Sequence, residues 1–462
     1  MDGITQGIRG NPGKQQSGRQ SVETRHALGW FRKLFPDSFF QTLLADLCMV
    51  ERSRVFTLPV TVWLMIMQRL NGTGTLAAAI SELLNGNGWD VLEPCKRVRE
   101  GNISLNTGAF SQARMRIPVE AARRISRHTF NQLQAGMRGS SELRERLFLM
   151  DGTSITLAHT AAIRKKYEVA KNQFGESHWP VMRVVVMHHV VTGLAAPPEY
   201  GPMYGTEAVG EQELVARAAG QLPAGSVMIG DRNFGVFSVG WAVTRHGHDL
   251  VVRLTRSRAG RIFKNLKTGV DEPILWEPTR EDRKGHPDLP EDAQLQGRLI
   301  VIESETGQEP LYLFTTLKET AETVAALYQE RWQIETDLRS LKEQVRLHTI
   351  SAKTPAMAEA ELLLAVATYN IIRAVMREAA IHAGTEPRRL SYSRSQAAFW
   401  AFNRAVSHGC SPEKFEYHWN LLIRGLGQCK LPIRHRPSQP REVWHKAHTF
   451  PSRKSNPAEK TK

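Results

Sequence analysis

Hydrophobic positions along the chain change their period near the middle of the sequence. Between Trp30 and about Met137 they recur every three or four residues, as helices require. Asp37 and Ser38 cap PDSFFQTLLADLCMV, Pro59 stands at the start of LPVTVWLMIMQRL, and Asn85-Gly86 ends TLAAAISELL. SLNTGAFSQARMRI and PVEAARRISRHTFNQLQAGM follow as two further helices. At Leu147 the pattern becomes extended: LFLMDGTSITLA, MRVVVMHHVV and LAAPPEYG read as strands, with Thr192-Gly193 marking a turn between the second and third. EQELVARAAGQL is then helical, SVMIGD is a short buried strand, FGVFSVGWAVTRHG is a helix and DLVVRLTRS a strand.

Three strands, helix, strand, helix, strand is the ribonuclease H order. It predicts an α/β domain with a mixed sheet over 145–385, preceded by a helical domain over 25–140. The charged, Pro-containing stretch 257–310 breaks the rhythm and predicts a β-rich insertion, after which LYLFTTL leads into the helix carrying Glu335. MAEAELLLAVATYNIIRAVMREAA is apolar nearly all round and is expected to be buried. Residues 1–24, rich in Gly, Gln, Ser and Arg, predict a disordered basic tail. Residues 386–462 read as a helical segment and a basic, Pro-rich tail, either DNA-contacting or dimer-forming.

Charge narrows the partner. The formal net charge is +15 and the pI near 9.8, favouring a polyanion over a small neutral substrate. No run of about 18 apolar residues exists to span a bilayer, and the N-terminus has no apolar core for a signal peptide. A soluble intracellular protein that binds nucleic acid and no membrane is expected. Cys48, Cys95, Cys410 and Cys429 lie far apart without CxxC pairing, so neither a zinc ribbon nor a disulfide framework is supported.

Three carboxylates carry the candidate chemistry. Asp151 ends the apolar run LFLM, and Asp231 ends SVMIG in the same way; each is an acid delivered by a buried strand. Glu335 lies in LYQERWQIETDLRSLK. On a helix turning roughly 100° per residue, Tyr328, Arg331, Glu335 and Lys342 fall within an arc of about 60°, beside an apolar stripe of Leu327, Ile334, Leu338, Leu341 and Val345. If the sheet aligns the two strand ends, Glu335 can complete a cluster of negative charge that needs divalent cations. Two Mg2+ or Mn2+ ions on hard oxygen ligands would serve an in-line displacement at phosphorus. A phosphatase reading of MDGTS fails, because Thr153 stands where that chemistry needs a second aspartate.

At these residues the chain resembles the DDE transposases of bacterial insertion sequences, in particular the insertion-sequence-4 family. Tyr328, Arg331, Glu335 and Lys342 reproduce that family's Tyr-x2-Arg-x3-Glu-x6-Lys spacing, and DGT at Asp151 and GDRNF around Asp231 match its aspartate motifs. The resemblance covers roughly Leu147 to Ala380. It implies that Asp151, Asp231 and Glu335 bind the metal ions, and that Tyr328, Arg331 and Lys342 contact DNA phosphates, with Arg232 a further candidate contact. It also implies an insertion that handles a DNA hairpin and offers an aromatic residue to a flipped base, for which Trp276 is the candidate. The expected activity is metal-dependent cleavage and strand transfer at transposon ends on double-stranded DNA, by a homodimer at synapsis, in the bacterial cytoplasm at the nucleoid. A catalytically inactive DNA-binding derivative and a nuclease without joining activity are the alternatives.

Several residues stay open. Arg114, Arg116, Arg123, Arg124 and Arg127 suit either a helix-turn-helix-like DNA reader or a plain bundle with solubilising arginines. Arg164, Lys165 and Lys166 suit DNA contact or surface charge equally, as do Lys264, Lys267, Arg280, Arg283 and Lys284. His188 and His189 point to opposite faces of a strand and cannot chelate together.

Overall fold

The computed structural model describes residues 31–32, 34–52, 54–71, 74–85, 95–135, 142–173, 175–303, 309–406 and 411–432. Residues 1–24, the tail beyond 432 and Cys410 therefore lie outside the described residues. The three strands expected first are β1 (Leu147–Thr156), β4 (Val181–His189) and β5 (Glu199–Pro202), with a two-residue hairpin, β2 (Lys171–Asn172) and β3 (Gly175–Glu176), inside the connection. β1 pairs antiparallel with β4, and β4 with β5. On its other edge β1 runs parallel to β6 (Val227–Gly230), which runs parallel to β7 (Asp249–Leu254). The helices Glu211–Ala219 and Phe237–Arg245 make the crossovers that parallel pairing requires.

The stretch predicted as a β-rich insertion adds strands to this sheet. β8 (Asp271–Trp276) and β9 (Leu295–Ile302) form an antiparallel pair, and β9 docks on β10 (Leu311–Thr315), itself antiparallel to β7. One eight-stranded mixed sheet results, in the order β5-β4-β1-β6-β7-β10-β9-β8. The weak alternation in β9 is enough, because Leu295, Leu299 and Val301 bury against Trp276 and Phe314.

Strand periodicity sorts the core into two layers. Leu147, Leu149, Val184, Val186, Val227, Ile229 and Val251 face one side, under the helix Pro355–His382 and the N-terminal helices. Phe148, Met150, Val185, Met187, Met228, Leu250 and Val252 face the other, under Glu211–Ala219 and Phe237–Arg245. Pro355–His382 is buried along most of its length, as its all-round apolarity requires. The helices Leu58–Asn71 and Val119–Ala135 pack on it, so the amino-terminal helices share the first layer's core.

A charge buried in that layer ties the helices together. Glu361 is 3% exposed and accepts from Arg69 of Leu58–Asn71 at 3.2 Å and from Arg114 of Gly108–Met115. Arg69 also donates to the carbonyls of Val345 at 2.9 Å and Arg346 at 2.8 Å, and Arg346 adopts the left-handed conformation at φ 60°. Removing the carboxylate would leave two guanidiniums in a site that already disfavours their charge by burial. Glu361→Ala is expected to lower stability by about 3–5 kcal/mol, measured by urea unfolding; an unchanged midpoint would remove this pair from the account.

Candidate active site

Parallel pairing sets the first two acids side by side. Leu147 pairs with Val227 and Leu149 with Ile229, so two residues further along β1 and the β6 strand stand Asp151 and Asp231. Both follow odd-numbered residues that face the layer under Pro355–His382. β1 continues past this point against β4, with Asp151 opposite Val186, whereas β6 ends at Gly230 and Asp231 opens a turn. That turn is held tightly. The Asn233 amide donates to Asp231 Oδ1 at 2.8 Å, Phe234 N donates to the Asp231 carbonyl at 3.1 Å, and the Phe234 ring is buried. A Cβ on Gly235 would stand 2.3 Å from the carbonyl oxygen of Arg253, so the turn can lie on β7 only with glycine there.

Burial pushes the Asp151 carboxyl up to about 6. The charges of Asp231 and Glu211 push the same way, while the Gly152 amide, donating to Asp151 Oδ1 at 2.8 Å, and the Arg331 charge oppose the shift. Two carboxylates offering hard oxygen atoms are donors that a divalent cation takes. Among the described residues, however, no three or more His, Cys, Asp or Glu side chains stand together to hold a metal ion. The pair therefore offers two of the oxygen ligands that such a cation takes.

Beside the pair lies a cleft of about 440 Å³ lined by Asp231, Arg232, Arg253, Glu309, Tyr328 and Arg331. Three guanidiniums among the cleft's two carboxylates suit a phosphodiester, whose oxygens accept from planar forks. Tyr328 is 7% exposed, and burial keeps its phenol protonated as a neutral hydroxyl that accepts from Arg331. Arg331 in turn stacks over the exposed Trp332 ring, 4.4 Å from its centroid.

The segment carrying the spaced residues departs from the single regular helix expected. Ala321–Gln329 passes through a 3₁₀ turn, Glu330–Trp332, into Gln333–Arg339 and then a π turn, Ser340–Gln344. Ile334, Leu338 and Leu341 still bury on the layer that the two aspartates face, so Glu335 rides on the matching side of the sheet. Its carboxylate is exposed, and neither it nor the half-buried Lys342 lines the cleft. Asp337, two residues on, is 1% exposed and paired with Arg373 and Arg388. Those pairs pin one side of the helix whose other side carries Glu335.

Trp276 is a correction. Its indole is 5% exposed, with ring centroids 5.0 Å from Phe314 and 6.1 Å from Phe237, so it belongs to the core and presents no open platform to a base. The β8–β9 hairpin closes on the second core layer, and its aromatic side chain fills that layer. His188 and His189 are also buried, with burial holding both near 4 and therefore neutral. Of the helical arginines, Arg114 is spent on Glu361, Arg123 on Glu199 and Arg124 on Asp46, while Arg116 and Arg127 are exposed. Glu211, Asn233 and Arg253 escaped the sequence reading. Only Asn233 carried a signal there, as part of GDRNF; the other two come to the site through pairing and crossover geometry.

Residues 142–371, which contain all three carboxylates, match the family model of the transposase DDE domain. The match supports a DDE transposase, and the eight-stranded mixed sheet is consistent with a ribonuclease H-like domain of that kind. No curated protein matches the chain. Among the described residues no helix is long and apolar enough to cross a membrane.

Because the folded protein raises the Asp151 pKa, its charge is a cost that is absent below about pH 4, where the group is neutral folded and unfolded, and is fully present above about pH 6. In metal-free buffer Asp151→Asn is expected to stabilise the protein at pH 7.5 by about 1–3 kcal/mol and to leave it unchanged at pH 3.5. Thermal melts at the two pH values check this; destabilisation at pH 7.5 would contradict it.

Proposed function

We propose that the chain is a DDE transposase of the insertion-sequence-4 type, which binds the terminal inverted repeats of its element and cuts and joins DNA. The observation that supports this best is that the parallel pairing of β1 with β6 leads on to Asp151 and Asp231, whose charges interact beside a guanidinium-lined cleft. Asp151, Asp231 and Glu335 would hold two Mg2+ or Mn2+ ions. Once bound, such ions supply Lewis-acid activation of the attacking oxygen and neutralise charge on the leaving one.

The protein's own groups do the rest. Arg331 and Arg232 orient the scissile phosphate, Arg253 adds a third cation on the same wall, and Tyr328 donates its hydroxyl to a phosphate oxygen. In the first reaction the oxygen of water bonds to phosphorus as the bond to the 3′ oxygen breaks, leaving a free 3′-hydroxyl. In the second that hydroxyl attacks a phosphodiester of the opposite strand, closing a hairpin as the bond to the flanking 3′ oxygen breaks; a second water opens the hairpin and frees the 3′-hydroxyl, which then attacks a target phosphodiester as its bond to a target 3′ oxygen breaks. Lys342 contacts phosphate further from the cut. Glu335 closes on the pair as DNA and cations enter; the 3₁₀ and π turns on either side of it give the segment room to adjust. Two copies act at two ends.

With Mg2+ and a labelled duplex bearing the repeats that flank its coding DNA, the protein is expected to give nicked, hairpin and joined products. Asp151→Asn, Asp231→Asn and Glu335→Gln should each abolish cleavage while duplex binding in a gel-shift assay stays within about threefold. Cleavage surviving in all three variants would overturn the assignment. Binding without any product from the wild type would favour a noncatalytic DNA-binding protein, and hydrolysis without joined products a nuclease.

A further inference from the structure

The turn bearing Asp231 is gripped from the opposite face of the sheet. The helix Glu211–Ala219 packs on the second core layer through Leu214, Val215, Ala218 and Ala219, and its first two residues reach forward to the strand ends. Glu211 Oε2 accepts from Asn233 Nδ2 at 2.7 Å, and Gln212 Nε2 donates to the Asn233 carbonyl at 2.8 Å. Asn233 is thus held at its side chain and its backbone, and its own amide donates to Asp231 Oδ1.

Room for this grip comes from a residue next to the first aspartate. Gly152 points to the second layer, and a Cβ there would lie 2.5 Å from Glu211 Oε1 and 2.6 Å from its Cδ. Any larger side chain would push the carboxylate off Asn233.

We propose that Glu211 is a positioning residue for Asp231, acting through Asn233 in a clamp completed by Gln212 and admitted by Gly152. The clamp fixes the carboxylate of Asp231 beside Asp151 before any ligand binds, so the helix of the second layer sets the geometry of a site on the first. Its catalytic consequence rests on the transposase reading; its structural one does not.

Two readouts separate these. In hydrogen exchange, Glu211→Ala, Asn233→Ala and Gly152→Ala should each speed exchange in the segment 231–234, whereas Glu211→Gln, whose amide oxygen still accepts from Asn233, should not. In duplex cleavage the three disruptive variants should lose about 10–100-fold in kcat and need more Mn2+ for half-maximal rate, with KM for DNA unchanged. Glu211→Gln should stay within about threefold, and Glu211→Ala combined with Asn233→Ala should be no worse than the poorer single variant. Multiplicative losses would show that Glu211 and Asn233 act independently, and a Gln variant as impaired as the Ala variant that Glu211 acts by its charge; either would overturn the proposal. So would unchanged exchange in Glu211→Ala. If the wild type cleaves no duplex with either metal, the transposase reading fails, and the exchange rates alone decide the clamp.

Discussion

The parallel pairing of β1 with β6 is the constraint on which the site depends. The register that joins Leu149 to Ile229 carries the two chains on to Asp151 and Asp231, near enough for the Asp231 charge to help raise the Asp151 pKa. The apolar runs before both acids are buried and cannot slip by one residue without exposing a whole face of the sheet. Two carboxylates are thereby brought near each other in a partly desolvated place, which raises the Asp151 pKa. Neighbouring acids are what a cation-dependent phosphoryl-transfer centre requires.

Around this pair the molecule uses buried charge as fastening. Asp337 is locked to Arg373 and Arg388, and Glu361 to Arg69 and Arg114. Both acids connect the helix Pro355–His382 to something else: Asp337 to the segment carrying Glu335, Glu361 to the amino-terminal helices. Arg69 extends the second link to the carbonyls of Val345 and Arg346, just past Lys342. Such pairs contribute little net stability over apolar packing but cost several kcal/mol to break. They therefore fix where one element stands on another, which matters for a segment whose exposed glutamate has to meet two acids on separate strands.

Much of this was legible in the residues because it follows from short-range pattern. The order of strands and helices through β7, the burial of Pro355–His382, and the delivery of Asp231 at a strand end all rest on apolar runs and their periods; Asp151, expected at a strand end too, stands in the middle of β1. Tyr328 and Arg331, which line one cleft, were picked out by their match to a known spacing. Other features depend on long-range contacts that a local pattern does not encode. Trp276 looks the same in sequence whether β8 is a free flap or an inner strand; only its pairing with β9 and contact with Phe314 make it core. That the β-rich stretch 257–310 joins the main sheet at its edge is likewise set by the pairing of β9 with β10. Glu211 lies 60 positions after Asp151 and 22 before Asn233 in an ordinary amphipathic helix, and nothing local distinguishes it from Glu213. The irregular turns flanking Glu335 are likewise invisible to a 100° projection, which assumes one unbroken helix.

The central claim is that Asp151, Asp231 and Glu335 form one cation site when DNA is present. An experimental structure of the protein with Mn2+ and a terminal duplex tests it directly, since manganese is located by its anomalous scattering. The account predicts manganese bound by oxygens of Asp151 and Asp231, with Glu335 drawn in as a further ligand beside the scissile phosphate. Manganese bound elsewhere, or Glu335 still outside the site with DNA in the cleft, would contradict it.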